Sequence, residues 1–200
     1  MRLIIYLVFI LMPMNIMAKS TLATADIVDE QQLLKLLDGY IERRNLYTEQ
    51  KEEKIKQLKI KLRIAENNNA RLSILNAIYR EYYTYRYDSA MVYVNRGLAL
   101  ALSDNNTYYA TLNRINRAAV LSTGGFYSQA ETLLHEIGEK NVPPQLKQYY
   151  YYTTTWLYSY WEAFCAKSEF KDYYHQKKTS FSTANGQRNT QQLCGLVCLP

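Results

Sequence analysis

Groups able to do covalent or metal chemistry are sparse in this 200-residue chain. The histidines are His135 and His175, and the cysteines are Cys165, Cys194 and Cys198. The two histidines lie far apart, with no motif around either. Glu131 and Glu136, beside His135, read as one exposed helix face. Cys194 and Cys198 stand four apart, not in the C-x-x-C spacing of redox and zinc motifs. An odd cysteine count also cannot pair fully within one chain. Neither a G-x-S-x-G elbow nor a phosphate-cradling glycine loop occurs. The expectation is no catalytic residue, no metal site and no cofactor, so the chain reads as a binding protein and not an enzyme.

Tyrosine is in excess instead. There are 20, and 17 of them fall between Tyr79 and Tyr174. Tyr79, Tyr82, Tyr83, Tyr85 and Tyr87 crowd one helix end. Tyr149, Tyr150, Tyr151 and Tyr152 form a run near Trp156, Tyr158, Tyr160 and Trp161. Each ring offers a broad apolar face and one hydroxyl, a pairing favoured at interfaces. A run of four points to every side of a helix, so some of these rings are surface. The residues expected to meet a partner are Tyr79, Tyr82, Tyr83, Arg86, Tyr149, Tyr150, Tyr152 and Trp156. The occupant expected there is a protein or peptide, or a glycan held by stacking. The plainer alternative is that tyrosine fills interhelical space and reaches water with its hydroxyl.

Charge argues against nucleic acid. The net charge is +6, but the excess sits in the signal-like start, in a mixed-charge stretch over residues 41–66 and in the last 34 residues. A nucleic-acid reader concentrates Lys and Arg on one face of a core element. Interspersed charge of both signs reads as solvated surface.

The elements that carry these residues are helices. Seven glycines and four prolines are few for 200 residues, and no proline falls between Met14 and Val142. Turn-rich β architectures need many more of both. Apolar content of 48 % and charged content of 21 % are those of a folded chain. Residues 26–66 form an amphipathic, coiled-coil-like helical segment, one long helix or a pair. Leu34, Leu37 and Ile41 make one apolar patch on its seam, and Ile55, Leu58, Leu62 and Ala65 make another. Arg44, Thr48 and Lys51 form a polar waist between them. The segment reads either as an oligomerisation helix or as a helix packed on its own domain. Asn67-Asn68-Asn69 starts the next helix, Asp88 caps a third, and Asp104-Asn105-Asn106 separates the third from a fourth. Gly124-Gly125 ends the fourth. Val142-Pro143-Pro144 closes a fifth, a sixth runs to about Ala166, and a seventh begins near Ser168.

The N-terminus reads as an export signal. Arg2 precedes the apolar run from Leu3 to Met12, which fades by Met17, and small-residue cleavage sites follow at Ala18 and at Ala23-Thr24-Ala25. The run is short for a membrane span. The expected location is an exported space, the periplasm, with an uncleaved inner-membrane anchor as the alternative. The expected domains are a signal (1–25), the helical segment (26–66), repeats (67–178) and an irregular tail (179–200).

Repetition is visible at three junctions: Tyr87-Asp88-Ser89-Ala90, Tyr127-Ser128-Gln129-Ala130 and Phe170-Lys171-Asp172-Tyr173. Tyr87, Ala90, Tyr127, Ala130 and Phe170 are the expected repeat-packing residues. A small residue lets the second helix of a hairpin approach the first, and the aromatic fills the gap at the turn. Here the chain resembles the tetratricopeptide-like repeats, whose second helix carries a small residue near its start with an aromatic shortly before it. The resemblance implies an all-α solenoid of two to three stacked antiparallel hairpins. The period is longer than the usual ~34 residues, and Tyr173 stands where a small residue belongs.

The layout also resembles an exported helical-repeat family of unknown function from Gram-negative gut bacteria. That likeness rests on the signal, on Leu37-Asp38-Gly39-Tyr40-Ile41 through Tyr47-x-x-Gln50-Lys51-Glu52-x-x-Ile55, and on the tyrosine-rich stretch. Members resemble membrane-linked regulators with a span and an intracellular module after the repeats, which implies a sensing role in signal transduction. A structural oligomerisation module is the alternative. The polar residues 179–200 read as a truncated, out-of-frame ending or as a natural tail.

Overall fold

A computed structural model describes residues 30–186. The expected signal, the end of the tail and both Cys194 and Cys198 lie outside the described residues. Eight α-helices follow one another: α1 (Glu30–Glu42), α2 (Arg44–Ile64), α3 (Asn68–Tyr83), α4 (Tyr87–Ser103), α5 (Thr107–Thr123), α6 (Tyr127–Ile137), α7 (Lys147–Phe164) and α8 (Lys171–Gly186). Two single 3₁₀ turns, Glu139–Asn141 and Pro144–Leu146, link α6 to α7. No strand occurs among the described residues. The expected all-α class, with a helix pair ahead of three hairpins, is the one found.

The chain divides into two units at Leu46 and Tyr47. In the first, α1 has no buried residue, and Leu33, Leu34, Leu36, Leu37, Tyr40 and Ile41 are each about half exposed. The second unit is the solenoid. Each helix from α3 to α8 packs on the next, and α5 packs on α3 and α7 as well. First helices therefore stack on first helices, as in a tetratricopeptide array.

Local chemistry sets the boundaries. The Asn67 side chain accepts from the Ala70 N–H at 2.9 Å, and Asn106 accepts from Tyr109 N–H at 3.1 Å, so each satisfies a free donor at a helix start. Asn105 (φ 52°) and Gly125 (φ 82°) take left-handed turns that reverse the chain. Asp88 does not cap: Arg86 holds the cap position without a side-chain bond, and Asp88 lies in the first turn. There its carboxylate favours the positive end of the helix dipole. α8 runs past the expected boundary at Lys178. Its Ser and Thr hydroxyls bond back to carbonyls one turn earlier, from Thr179 to His175, from Ser180 to Lys177 and from Thr183 to Thr179. Phe181 stacks on Tyr158 at 5.8 Å and anchors that polar turn.

The repeat junctions pack as a series. Ala90 and Ala130 are both fully buried, and any larger side chain there would separate the hairpin. Tyr87 lies against the next hairpin's turn: a Cβ on Gly124 would stand 2.5 Å from its ring, and its centroid is 6.2 Å from that of Phe126. Tyr127 repeats the contact one hairpin on, 5.7 Å from Trp161 and 5.8 Å from Phe164. Phe170 occupies the corresponding place in the third hairpin, is 55 % exposed and has no following hairpin among the described residues. Between α4 and α5 the close approach is made at Gly97, where an added Cβ would meet the buried Asn113 amide at 2.6 Å.

Candidate functional site

Position on the helix sorts the tyrosines. In α3, Tyr79 and Tyr83 are one turn apart and share a side, whereas Tyr82 faces elsewhere. In α7, Tyr149, Tyr152, Thr153, Trp156 and Tyr160 fall on one stripe of a 3.6-residue period, and Tyr150, Thr154, Leu157 and Tyr158 on another. Stacking α3, α5 and α7 side by side brings the α3 pair and the first α7 stripe to one surface.

The geometry there is close. The Tyr79 and Tyr83 rings are 5.6 Å apart. The Tyr79 and Tyr149 phenols lie close enough to influence one another's ionisation. Tyr149 Oη donates to Asn116 Oδ1 at 2.9 Å, and Asn116 Nδ2 donates to Asn76 Oδ1 at 3.0 Å. Asn116, 1 % exposed, thus joins all three helices through its bonds to the half-buried Asn76 and Tyr149. Tyr152 meets Trp156 edge-on at 5.9 Å, and Trp156 lies 5.5 Å from Tyr160. Trp156 is 44 % exposed, the most open ring of the group.

Burial raises the pKa of Tyr79, Tyr83 and Tyr149. It raises Tyr83, with Tyr149, Tyr160 and Tyr152 adding to the shift. It raises Tyr79 strongly and Tyr149 as well, and the nearby Arg80 guanidinium offsets part of both. A neutral phenol both donates and accepts. The surface therefore presents ring faces for stacking and hydroxyls for either hydrogen-bond role.

The other expected site residues lie elsewhere. Tyr150 is 5 % exposed and donates to the Leu134 carbonyl at 3.2 Å, inside the α6–α7 core. Tyr82 is buried beneath α2, accepts from Lys59 Nζ at 2.9 Å and stacks on Tyr93 at 5.6 Å. Arg86 pairs with Glu52 at 3.0 Å, and Tyr85 donates to the same carboxylate. Three residues of the surface were not among those expected. Asn76 and Asn116 gave one signal, a polar side chain beside or on an apolar stripe. Tyr160 gave the four-residue step from Trp156.

Among the described residues no helix is long and apolar enough to cross a membrane. No curated protein matches this chain, and no solved structure matches it either. A family model does match, the SusR N-terminal TPR domain, over residues 41–188. That span begins near the end of α1 and runs just past α8, through every hairpin of the solenoid. With its helical-repeat architecture and that match, the chain belongs to the SusR N-terminal TPR domain family.

Proposed function

We propose that the chain is the ligand-sensing part of an exported regulatory protein, and that it binds its ligand on the surface formed by Tyr83, Tyr149, Tyr152, Trp156 and Tyr160, with the buried Tyr79 ring supporting it from beneath. The observation that carries this reading is the convergence of these rings from α3 and α7 over the hydrogen-bonded Asn76–Asn116 pair. An open stacking surface with a fixed polar floor suits a peptide bearing aromatic or proline side chains, because stacking and hydrogen bonding are both available. A glycan would use the same ring faces. The helical-repeat class supports a protein or peptide first, since such arrays generally serve protein–protein interaction.

The chain has two tryptophans, Trp156 and Trp161, so Trp161→Phe leaves Trp156 as the single reporter. Titrating that variant with peptide pools and, separately, with oligosaccharides should change Trp156 emission saturably. Adding Tyr83→Ala and Tyr160→Ala should abolish the response while helicity is kept. A response that survives both substitutions would place the ligand elsewhere.

The alternative, self-association through the N-terminal helix, is favoured by one observation: the apolar side of α1 is about half exposed from Leu33 to Ile41. Light scattering on the full chain with and without Leu34→Glu and Leu37→Glu tests it. An unchanged mass removes this alternative and leaves the tyrosine surface as the reading.

A further inference from the structure

A groove away from the tyrosine surface shares no lining residue with it. It lies between α2 and α4 and encloses about 490 Å³, lined by Glu52, Ile55, Lys56, Lys59, Ile60, Leu62 and Arg63 of α2 and by Tyr93 and Arg96 of α4. Long side chains make it. α2 reaches the rest of the unit through Lys59 to Tyr82, Glu52 to Tyr85 and Arg86, and Lys51 and Lys54 to Glu81. These rings and extended cations leave an open groove.

Four cations line the groove against one carboxylate, Glu52, and that carboxylate is already bonded to Arg86 and Tyr85. Lys59, Arg63 and Arg96 pair with no carboxylate among the described residues. Arg96 lies 5.2 Å over the Tyr93 ring, and Lys59 lies 5.4 Å over Tyr82. Tyr93 itself stacks on Tyr82, with 19° between the ring planes. The aromatic floor thus holds Lys59 and Arg96 in place without neutralising them. The hydrogen bond to Tyr82 raises the Lys59 pKa, outweighing its partial burial, so this ammonium stays charged at neutral pH.

The arrangement selects the occupant. Lys56, which already pairs with Glu53 at 3.2 Å, and the carboxylate-free Lys59 and Arg63 follow one another at three- and four-residue steps along one side of α2, a row of roughly 10 Å at 1.5 Å per residue. Arg96 stands across the groove. One compact anion cannot meet a row of that length, and no deeply buried polar side chain aims into the groove to orient one. A chain with carboxylates at intervals matches both the spacing and the charge, and Ile60 and Leu62 offer it apolar contact.

We infer that the α2–α4 groove is a docking site for an acidic polypeptide segment of a partner protein, separate from the tyrosine surface. A fluorescein-labelled oligoglutamate added to the full chain at low salt should bind saturably by anisotropy. Raising the salt should weaken it several-fold, because the pairs are solvent-exposed. Arg63→Glu with Arg96→Glu should weaken it at least tenfold, and Arg63→Gln with Arg96→Gln by less. Lys140→Glu with Lys167→Glu changes the net charge equally but on elements that do not line the groove, and should leave affinity within about twofold, with circular dichroism confirming the fold of each variant. Three results overturn the inference: no saturable binding, equal weakening by the two reversal pairs, or displacement of the peptide by equimolar tripolyphosphate, which would mean a small-anion site.

Discussion

The two sides of α7 carry the same residue type to opposite ends. On one side Tyr150 donates to the Leu134 carbonyl, Tyr151 to Glu139 and Tyr158 to Glu131, and all three rings are buried. On the other, Tyr149, Tyr152 and Tyr160 are only partly buried and Trp156 is open, so the rings meet one another and the α3 tyrosines. What separates the sides is the neighbour. α6 and α8 supply a cover for the first, and its hydroxyls find fixed acceptors within that cover. The second meets α5 through Asn116 and the α3 tyrosines at its edge, and no helix covers Trp156. Four consecutive tyrosines thus act as two core residues, one polar bridge and one surface ring.

Truncation on the two sides should separate them most widely. Tyr150→Ala removes a buried ring and should cost about 3–5 kcal/mol, lowering Tm by roughly 10 °C. Tyr160→Ala removes a partly buried ring that rests on the open Trp156 and should cost about 1 kcal/mol. Equal losses in calorimetry would erase the distinction. Next in size is the bridge. Asn116→Ala takes away both the acceptor of the Tyr149 hydroxyl and the donor to Asn76, and should cost about 1–3 kcal/mol because buried polar groups lose their partners. A loss as large as that of Tyr150→Ala would make the open surface part of the core. Tyr158→Phe keeps the ring and deletes one hydroxyl, so about 1 kcal/mol is expected. Glu131 is half-buried at the edge and can turn to water. Chemical denaturation with an unchanged slope would measure this last difference cleanly.

Much of this scaffold was legible because its punctuation is local. Asn67, Asn106, Gly125 and Pro144 act on their own backbone, so their residue type alone marks a helix end. Ala90 and Ala130 were legible for a related reason: smallness at a fixed place beside an aromatic is a packing requirement written in sequence. The Leu34 and Ile55 patches lie on one seam, yet Ile55 is 1 % exposed and Leu34 is 51 % exposed. Periodicity finds an apolar stripe but not what covers it. The same gap hid the sides of α7, because Tyr149 and Tyr150 differ only in which helix they face. It hid Asn116 too, since an asparagine on a helix is ordinarily solvated, and only its pairing with Asn76 and Tyr149 makes it structural. The extension of α8 was missed because Ser and Thr usually compete with helix, whereas here their hydroxyls bond inside it.

The smallest expected effect does not appear at neutral pH at all. Tyr150 and Tyr158 in the core, and Tyr79, Tyr83 and Tyr149 at the base of the open surface, all hold their protons above the ordinary phenol value of 10.0, chiefly through burial. A proton held more tightly in the folded state stabilises that state fully below the unfolded value. The stabilisation is lost as pH rises from 10.0 through the folded values, because the unfolded chain ionises first. Stability should therefore be flat with respect to these groups up to pH 10.0 and fall beyond it. Phenolate absorbance followed together with helical ellipticity checks this. The five groups should ionise only as ellipticity is lost, in one cooperative step. If a fraction ionises while the helices remain intact, and Tyr83→Phe removes that fraction but Tyr158→Phe does not, the base of the open surface is reached by water and the two sides of α7 differ more than their burial implies.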